Sequence, residues 1–223
     1  MITAFQLIFS PFETWEKITT AERGFLWTLG VHLLPLLVLC LGVEGFLLAH
    51  WGERRGEFGS IIRVPPELAV RYSLSYGVLL LAAVFVSALF LNSASQSFNS
   101  HTKYVQSFMV MAYGFGPIIL ARILDGFPQL NTWVCWTLGA AGSVSVLYHG
   151  IGMVLKPDQT KGFGLYLITI LIILVVSALA HFAALAVLHG KLLHQQTAQH
   201  HDPVARLEAH VCSFYRVPVP ATL

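Results

Sequence analysis

Charged side chains are scarce in this sequence. Only 11% of its 223 residues are Asp, Glu, Lys or Arg, whereas a soluble domain carries about 25%. This shortage excludes a water-soluble globular protein. The formal net charge of +2 is too small to indicate nucleic acid as a partner, and the sequence shows no basic surface with interleaved aromatic residues.

Signals for processing, metal binding and catalysis are also missing. No Lys or Arg precedes the apolar residues of Met1–Ser10, so we expect no cleavable signal peptide. The three cysteines have no metal-ligand spacing and are expected to be buried thiols. They are Cys40, Cys135 and Cys212. The sequence contains no Ser-His-Asp arrangement, phosphate-binding loop or metalloprotease motif, so we expect neither enzymatic activity nor a cofactor.

Long runs without a charged residue are, by contrast, abundant. Five of them reach or nearly reach the roughly 20 apolar residues that a transmembrane helix needs. The predicted fold is an all-α membrane protein, a bundle of five transmembrane helices with a short interfacial amphipathic helix before it and a polar tail after it. The predicted spans are residues 24–50, 69–92, 104–125, 132–155 and 163–189. The predicted domains are an interfacial helix (1–23), a transmembrane domain (24–190) and a His-rich tail (191–223).

The N-terminal segment has the pattern of a short amphipathic helix. Ser10 is placed to cap the helix, with Pro11 at the first helical position and Glu13 returning to the cap. Apolar and charged residues fall on different faces, Phe12, Trp15 and Ile18 against Glu13, Glu16 and Lys17. We expect this helix to lie in the membrane interface, although a helix that binds a soluble partner has the same pattern.

The third span departs from an ordinary transmembrane helix in three ways. Pro117 removes a backbone hydrogen bond and should kink the helix. Gly114 and Gly116 leave its surface bare, so that a neighbouring helix can approach closely. Arg122 and Asp125 place two charges three residues apart toward one end of the span. We therefore expect the other helices to assemble around this span.

Two later spans carry pairs of small residues four positions apart. Gly139 and Ser143 form one pair in the fourth span, and Ala180 and Ala184 form the other in the fifth. Such pairs let two helices pack closely inside a membrane. We therefore expect helix contacts at both pairs.

A polar layer is predicted near one end of the bundle. At 1.5 Å per residue, Glu44 lies about 30 Å along the first span, and Arg122 and His181 lie about 27 Å along the third and fifth. These odd-numbered spans run in the same direction, so the three side chains reach a similar depth. An unpaired charge there is costly, which favours a Glu44–Arg122 ion pair. The alternatives are Asp125 as the partner of Arg122, or side chains that reach the interface separately.

Histidines outside this layer give two weaker signals. His32 and His149 lie at a similar depth on the first and fourth spans, about 12 Å and 10 Å from the other end. Two such imidazoles could bracket a haem, or each could hydrogen-bond to its neighbours. The tail residues His194, His200, His201, His210 and Cys212 are potential metal ligands. Their spacing fits no recognised site, so we expect neither haem nor metal.

Two short motifs carry a resemblance to a known family. They are Pro11-Phe12-x-x-Trp15 near the start of the chain and Tyr113-Gly114-x-Gly116-Pro117 in the third span. With five spans behind the first motif, the chain resembles the Yip (Ypt-interacting protein) family of five-span integral membrane proteins over roughly residues 5–190.

The resemblance implies a helical membrane domain whose N-terminus is in the cytosol. Eukaryotic members bind small GTPases and act in vesicle traffic. This chain lacks the long polar N-terminal region of many such members, so we expect no small-GTPase partner. It is more similar to the compact bacterial members, which implies the inner membrane of a bacterium. Lys and Arg are balanced between the two sides of the bundle, so the positive-inside rule does not decide the orientation.

Three functions are compatible with these features. The leading hypothesis is a non-enzymatic membrane protein that acts as a scaffold or accessory subunit and packs against other membrane proteins in the lipid bilayer. A small transporter or channel could instead use the layer of Glu44, Arg122 and His181. A haem-bearing electron-transfer subunit could use His32 and His149.

Overall fold

Helices account for nearly all of the structure. The computed structural model describes residues 6–7, 10–21, 24–55, 60–62, 64–98, 103–127, 130–158 and 161–200. Residues 6–7 are helical, and from Ser10 onward the described residues form six helices and one β-hairpin: α1 (Pro11–Thr20), α2 (Phe25–Trp51), β1 (Glu53–Arg55), β2 (Ser60–Ile62), α3 (Pro66–Ser97), α4 (Tyr104–Asp125), α5 (Thr132–Leu155) and α6 (Gly162–His200). The predicted all-α membrane fold is confirmed.

The helices α2 to α6 are each long and apolar enough to cross a membrane, α6 over Gly162–Val187. They differ in how much of their surface other helices cover. In the most hydrophobic part of α4, 83% of the residues are buried, against 28–50% in the other four spans. Every residue from Ser107 to Ile119 is buried. The third span is therefore the central helix of the bundle, and the other four also face lipid.

The chain divides into two units after Ala184, Met1–Ala184 and Leu185–Leu223. The helix α6 continues to His200. The sequence predicts that the fifth span ends earlier, at residue 189. The tail residues His201, His210 and Cys212 lie outside the described residues. All contacts considered below belong to the first unit.

The second span is longer than its apolar run. The helix α3 begins at Pro66 and ends at Ser97, whereas the predicted second span ends at residue 92, so the Ser/Asn-rich residues 92–97 are also helical. A serine in this segment can bond within the helix and does not require a loop. Ser95, for example, donates its hydroxyl to the carbonyl oxygen of Asn92 at 2.8 Å.

A short antiparallel hairpin connects α2 to α3. Strand β1 pairs with β2, with Glu53 opposite Ile62 and Arg55 opposite Ser60. Gly52 precedes β1 with a φ of 79°, a conformation that costs little without a Cβ atom. This glycine ends α2 and lets the chain turn into the hairpin.

Two spans contain a π-helical segment. In α2 it covers Thr28–Leu33, just before Pro35, whose missing N–H interrupts the regular hydrogen-bond pattern. In α5 it covers Ile151–Leu155. It is followed by Lys156 in the left-handed region, with a φ of 43°. Pro157 follows directly, so α5 cannot continue.

The central helix α4 consists of two α-helical halves, Tyr104–Gly114 and Gly116–Asp125, which meet at Phe115. Pro117 stands in the first turn of the second half, where its missing N–H is least costly. The break thus follows from the proline that the sequence places there.

Glycines of α5 accommodate the second half of α4. A Cβ atom on Gly142 would lie 2.8 Å from Cβ of Pro117. One on Gly139 would lie 2.9 Å from Cα of Ile118 and 3.2 Å from the carbonyl oxygen of Pro117. Neither position has room for a side chain, so the absence of Cβ atoms lets α5 approach the backbone of α4 directly.

The two glycines of the α4 motif differ in role. A Cβ atom on Gly114 would lie 2.8 Å from a methyl group of Leu147 and 3.2 Å from one of Ile173, so this position allows close packing. A Cβ atom on Gly116 would have nothing within 4 Å outside its own helix. The expectation that Gly116 makes room for a neighbouring helix is therefore wrong. Its value is local, because a Cβ atom before Pro117 would clash with the proline ring in a helical conformation.

The N-terminal helix α1 is anchored to the bundle. Trp15 is fully buried and donates its indole N–H to the carbonyl oxygen of Val146 in α5 at 2.9 Å. Ile18 is also buried, whereas Phe12 is 58% exposed. The apolar residues therefore do not share one environment: two pack into the protein and Phe12 faces outward.

The cap of α1 differs from the sequence prediction. Ser10 precedes the helix, but its side chain makes no capping hydrogen bond. Thr14 instead donates its hydroxyl to the carbonyl oxygen of Ser10 at 2.8 Å. The first turn is thus tied by a threonine inside the helix.

The close contact between α4 and α5 gives a direct stability test. We expect Gly139→Ala to lower the stability of the protein in detergent by about 1–3 kcal/mol, the usual cost of overpacking, because the added methyl group meets backbone atoms. The measurement is the thermal unfolding midpoint of the purified protein.

Gly42→Ala is the matched control. Gly42 also lies within a span, but a Cβ atom there has nothing within 4 Å. It should leave the midpoint unchanged or raise it, since alanine has the higher helix propensity. Equal loss in both variants would contradict the packing between α4 and α5.

Candidate functional site

Arg122 is the centre of a buried polar cluster in the bundle. The side chain is 5% exposed, and its guanidinium group has five N–H donors in a fixed planar fork. Nε donates to Oε2 of Glu44 at 3.3 Å. One terminal nitrogen, Nη2, donates to Oε1 of Glu44 and to the Tyr72 hydroxyl at 2.9 Å. The other, Nη1, lies 2.6 Å from Oδ2 of Asp125 and 3.2 Å from Nδ1 of His181.

These contacts use all five donors of Arg122. The acceptors come from four helices: Glu44 from α2, Tyr72 from α3, Asp125 from α4 itself and His181 from α6. The arginine therefore ties together four of the five spans.

Aromatic rings enclose the cluster. The guanidinium carbon of Arg122 lies 4.4 Å from the ring centre of Tyr76, within the range of a cation–π interaction. Tyr76 stacks in parallel on Tyr72, at 6.1 Å between ring centres. From α5, Trp133 lies edge-on to His181 at 6.0 Å. All five spans thus contribute to the cluster or its walls.

The sequence predicts part of this cluster. The structure brings together Glu44, Arg122 and His181, which the depth estimate places in one layer, and Arg122 contacts both of its candidate partners, Glu44 and Asp125. Tyr72 and Tyr76 are absent from the sequence prediction. The available signal is their spacing of four residues, which puts two tyrosines on one face of an apolar helix.

Two polar atoms of the cluster have no hydrogen-bond partner among the described residues. They are Oδ1 of Asp125 and Nε2 of His181. The Asp125 side chain is only 8% exposed and His181 is 1% exposed. Among the described residues, two carboxyl groups and one arginine belong to the cluster.

A second buried group lies around Tyr113 in the first half of α4. Trp15 meets the Tyr113 ring edge-on at 5.6 Å, and the His32 ring lies 4.1 Å from it. Trp15 belongs to the first resemblance motif and Tyr113 to the second, so the two motifs are in contact.

The histidines considered for haem have separate environments. His32 is 2% exposed and packs against Tyr113. His149 is partly exposed, and its neighbours are Tyr148, at 5.2 Å between ring centres, and the carbonyl oxygen of Ser145, at 3.3 Å. The described contacts thus give the two imidazoles different neighbours, Tyr113 for His32 and Tyr148 for His149.

The remaining predicted packing residues are buried. Ser143, Ala180 and Ala184 are 2%, 7% and 0% exposed. Burial is compatible with the close helix contacts expected at these positions. Over the described residues, no three His, Cys, Asp or Glu side chains are grouped so that they could hold a metal ion.

An apolar groove lies between α2 and α3 on the outer surface of the bundle. Its volume is about 630 Å³. Two of its glycines serve the contact between these helices, since a Cβ atom on Gly77 would lie 2.7 Å from a methyl group of Leu41 and one on Gly45 would collide with the Ser73 side chain. Gly42 also lines the groove, yet none of the residues that the structure describes occupies the space beside it.

The Glu44–Arg122 pair predicts a characteristic pattern of stability. We expect Glu44→Gln and Arg122→Gln each to lower the stability in detergent by about 3–5 kcal/mol, because removing one member of a buried pair leaves the other without its partner. The double variant should lose less than the sum of the two. The measurement is thermal unfolding of the three variants and the wild type.

An exposed charge provides the control. Glu67 lies at the start of α3 and is exposed, so Glu67→Gln should change little. Strictly additive losses from Glu44→Gln and Arg122→Gln would show that the two residues do not depend on each other.

A comparison of the sequence with known protein families gives one match. The model of the Yip1 domain matches residues 5–187, which covers α1, all five candidate spans and every residue of the polar cluster. No curated protein and no solved structure gives a significant match. Since the matched region is most of the chain and includes both motifs, the protein belongs to the Yip1 domain family of membrane proteins.

Proposed function

We propose that this protein is a non-enzymatic scaffold or accessory subunit that packs against other proteins within the membrane. The observation that carries the proposal is the use of all five donors of Arg122 by side chains of the protein itself. An arginine that binds a substrate needs a free N–H donor for it, whereas all five donors of Arg122 bind side chains that join the helices. The cluster thus serves the architecture of the bundle.

The groove between α2 and α3 favours the proposal that the partner is a transmembrane helix of another membrane protein. A glycine inside a helix costs about 1 kcal/mol relative to alanine, and at Gly42 no contact with the described residues explains that cost. Bare helix surface in a membrane allows a second helix to come close. Gly42 is therefore the position at which we place the partner's backbone.

The resemblance to the compact bacterial members of the family supports a proposal for the location and the orientation. We propose the cytoplasmic membrane of a bacterium, with α1 and the loops after α3 and α5 in the cytosol. In this arrangement the polar cluster lies toward the non-cytoplasmic end of the bundle, and the Trp15–Tyr113 contact lies toward the cytoplasmic end.

A substitution in the groove tests the proposed partner contact. We expect that a membrane protein recovered with the wild-type protein in stoichiometric amount after gentle solubilisation is lost with Gly42→Leu, because the leucine fills the groove. Quantitative mass spectrometry of the two purifications measures this loss, and unfolding midpoints establish that both variants are folded.

Two results would count against this function. Recovery of no stoichiometric partner would contradict the accessory-subunit proposal. Recovery of the same partner with Gly42→Leu would remove the groove from the interface and leave a lipid chain as its occupant.

The orientation is tested independently by reporter fusions. We expect reporters at Lys103 and Lys161 to be cytoplasmic and a reporter at Leu223 to be on the opposite side, since an odd number of spans separates the ends of the chain. A cytoplasmic reporter at Leu223, together with non-cytoplasmic reporters at Lys103 and Lys161, would show the inverted orientation.

A further inference from the structure

The α3 wall of the apolar groove continues into a charged residue at one end. Leu74 and Val78 line the groove and are 70% and 62% exposed. Arg71 precedes them by three and seven residues, a spacing that places all three on one face of a helix. Arg71 is itself exposed. The face that borders the groove therefore ends in a guanidinium group, near the hairpin that joins α2 to α3.

The register of α2 against α3 follows from two contacts in the groove. A Cβ atom on Gly45 would collide with the Ser73 side chain, and one on Gly77 would lie 2.7 Å from a methyl group of Leu41. Gly45 is therefore level with Ser73, and Leu41 with Gly77. Each residue toward the end of α2 corresponds to one residue back toward the start of α3.

This register gives the distance between the bare position in the groove and the arginine. Arg71 is level with Leu47, which follows Gly42 by five residues, or about 7.5 Å along the helix axis. The guanidinium group and the space beside Gly42 are thus about one to two helical turns apart. Both can be reached by one helix that lies along the groove.

The described residues near Arg71 do not neutralise it. Glu67 lies one turn before Arg71 and is exposed, but the ion pairs among the described residues are those of Arg122. His50, at the end of α2, is exposed and stacks in parallel on Phe46 at 6.0 Å between ring centres. Phe46 also lines the groove. This end of the groove therefore favours a negatively charged group.

Apolar packing alone selects a partner poorly inside a membrane. Lipid tails are as apolar as leucine side chains, so any helix with a smooth apolar face fits such a groove about equally well. A charged contact at the edge of an interface excludes wrong partners and fixes the register. An arginine suits this role, because its planar fork binds a carboxylate through two parallel hydrogen bonds.

We propose that the partner helix carries a carboxylate that pairs with Arg71. The carboxylate lies about one to two turns from the residue that packs on Gly42, toward the end of the groove at the hairpin. This inference rests on the proposed role as an accessory subunit and adds the chemistry of its partner. The partner is an apolar transmembrane helix with one Asp or Glu near the membrane interface, and Arg71 selects it.

Exchange of the two charges tests this pair in the full-length protein. The probe is the membrane protein recovered in stoichiometric amount with the wild type. We expect Arg71→Gln to lower its recovery about two- to fivefold, the value of a partly exposed ion pair. Arg71→Glu should lower it further, because two like charges then face each other. Lysine in place of the partner's Asp or Glu should restore recovery with Arg71→Glu and lower it with the wild type.

Lys161→Gln is the matched control. Lys161 is also an exposed cation, but it lies directly before α6 at the opposite end of the bundle, so its substitution should leave the recovery unchanged. Both Arg71 variants should keep the unfolding midpoint of the wild type, since an exposed charge contributes little to stability. If Arg71→Glu does not accumulate, Arg71→Gln and the partner's lysine variant still measure the pair.

Three results would overturn the proposal. Undiminished recovery with both Arg71 variants, together with loss in Gly42→Leu, would leave the accessory subunit in place and show that Arg71 faces lipid headgroups. Loss with Arg71→Glu that no lysine exchange in the partner restores would show that Arg71 does not act through a carboxylate. Recovery of no stoichiometric partner with the wild type would remove the accessory-subunit proposal and this inference with it.

Discussion

The constraint on which this structure depends is the charge of Arg122. A guanidinium group keeps its proton in any protein environment, and an apolar bundle offers it no water, so five acceptors must be supplied by the chain. The spans supply them from α2, α3, α4 and α6. Each helix must then hold its side chain at the depth and on the face that Arg122 reaches. A single polar group thus fixes the position of four helices that are otherwise mostly apolar and could slide or rotate with little loss.

The central helix α4 also makes close contacts toward the opposite end of the bundle. In the part of α4 that precedes Arg122, the backbone around Pro117 packs directly against Gly139 and Gly142 of α5. Nearer the start of α4, Tyr113 contacts Trp15 of α1. Trp15 in turn bonds to the carbonyl oxygen of Val146 in α5. In this chain the two motifs that carry the family resemblance are therefore the two sides of one contact.

The sequence predicts well how deep a residue lies along the bundle, but it predicts poorly which face of its helix the residue occupies. A rise of 1.5 Å per residue is enough to place Glu44, Arg122 and His181 in one layer, and apolar runs are enough to find the spans. Which face a residue occupies is settled by tertiary packing. For that reason a prediction from depth alone groups His32 with His149, although the two have different neighbours. The same prediction does not find Tyr72 and Tyr76. It also misjudges Gly116, whose missing Cβ atom serves Pro117 and not a neighbouring helix. The predicted second span ends at residue 92, yet the helix α3 continues to Ser97, because a serine hydroxyl can bond to the backbone of its own helix, as Ser95 does.

The central claim is that Arg122 acts through its five-donor fork and not through its charge alone. Arg122→Lys tests this most directly, because lysine keeps the positive charge but offers one compact ammonium group with three donors. It cannot reach the two oxygens of Glu44, Tyr72, Asp125 and His181 together. We expect the unfolding midpoint of Arg122→Lys in detergent to fall most of the way to that of Arg122→Gln. A midpoint equal to that of the wild type would show that a positive charge suffices and would contradict the role of the fork.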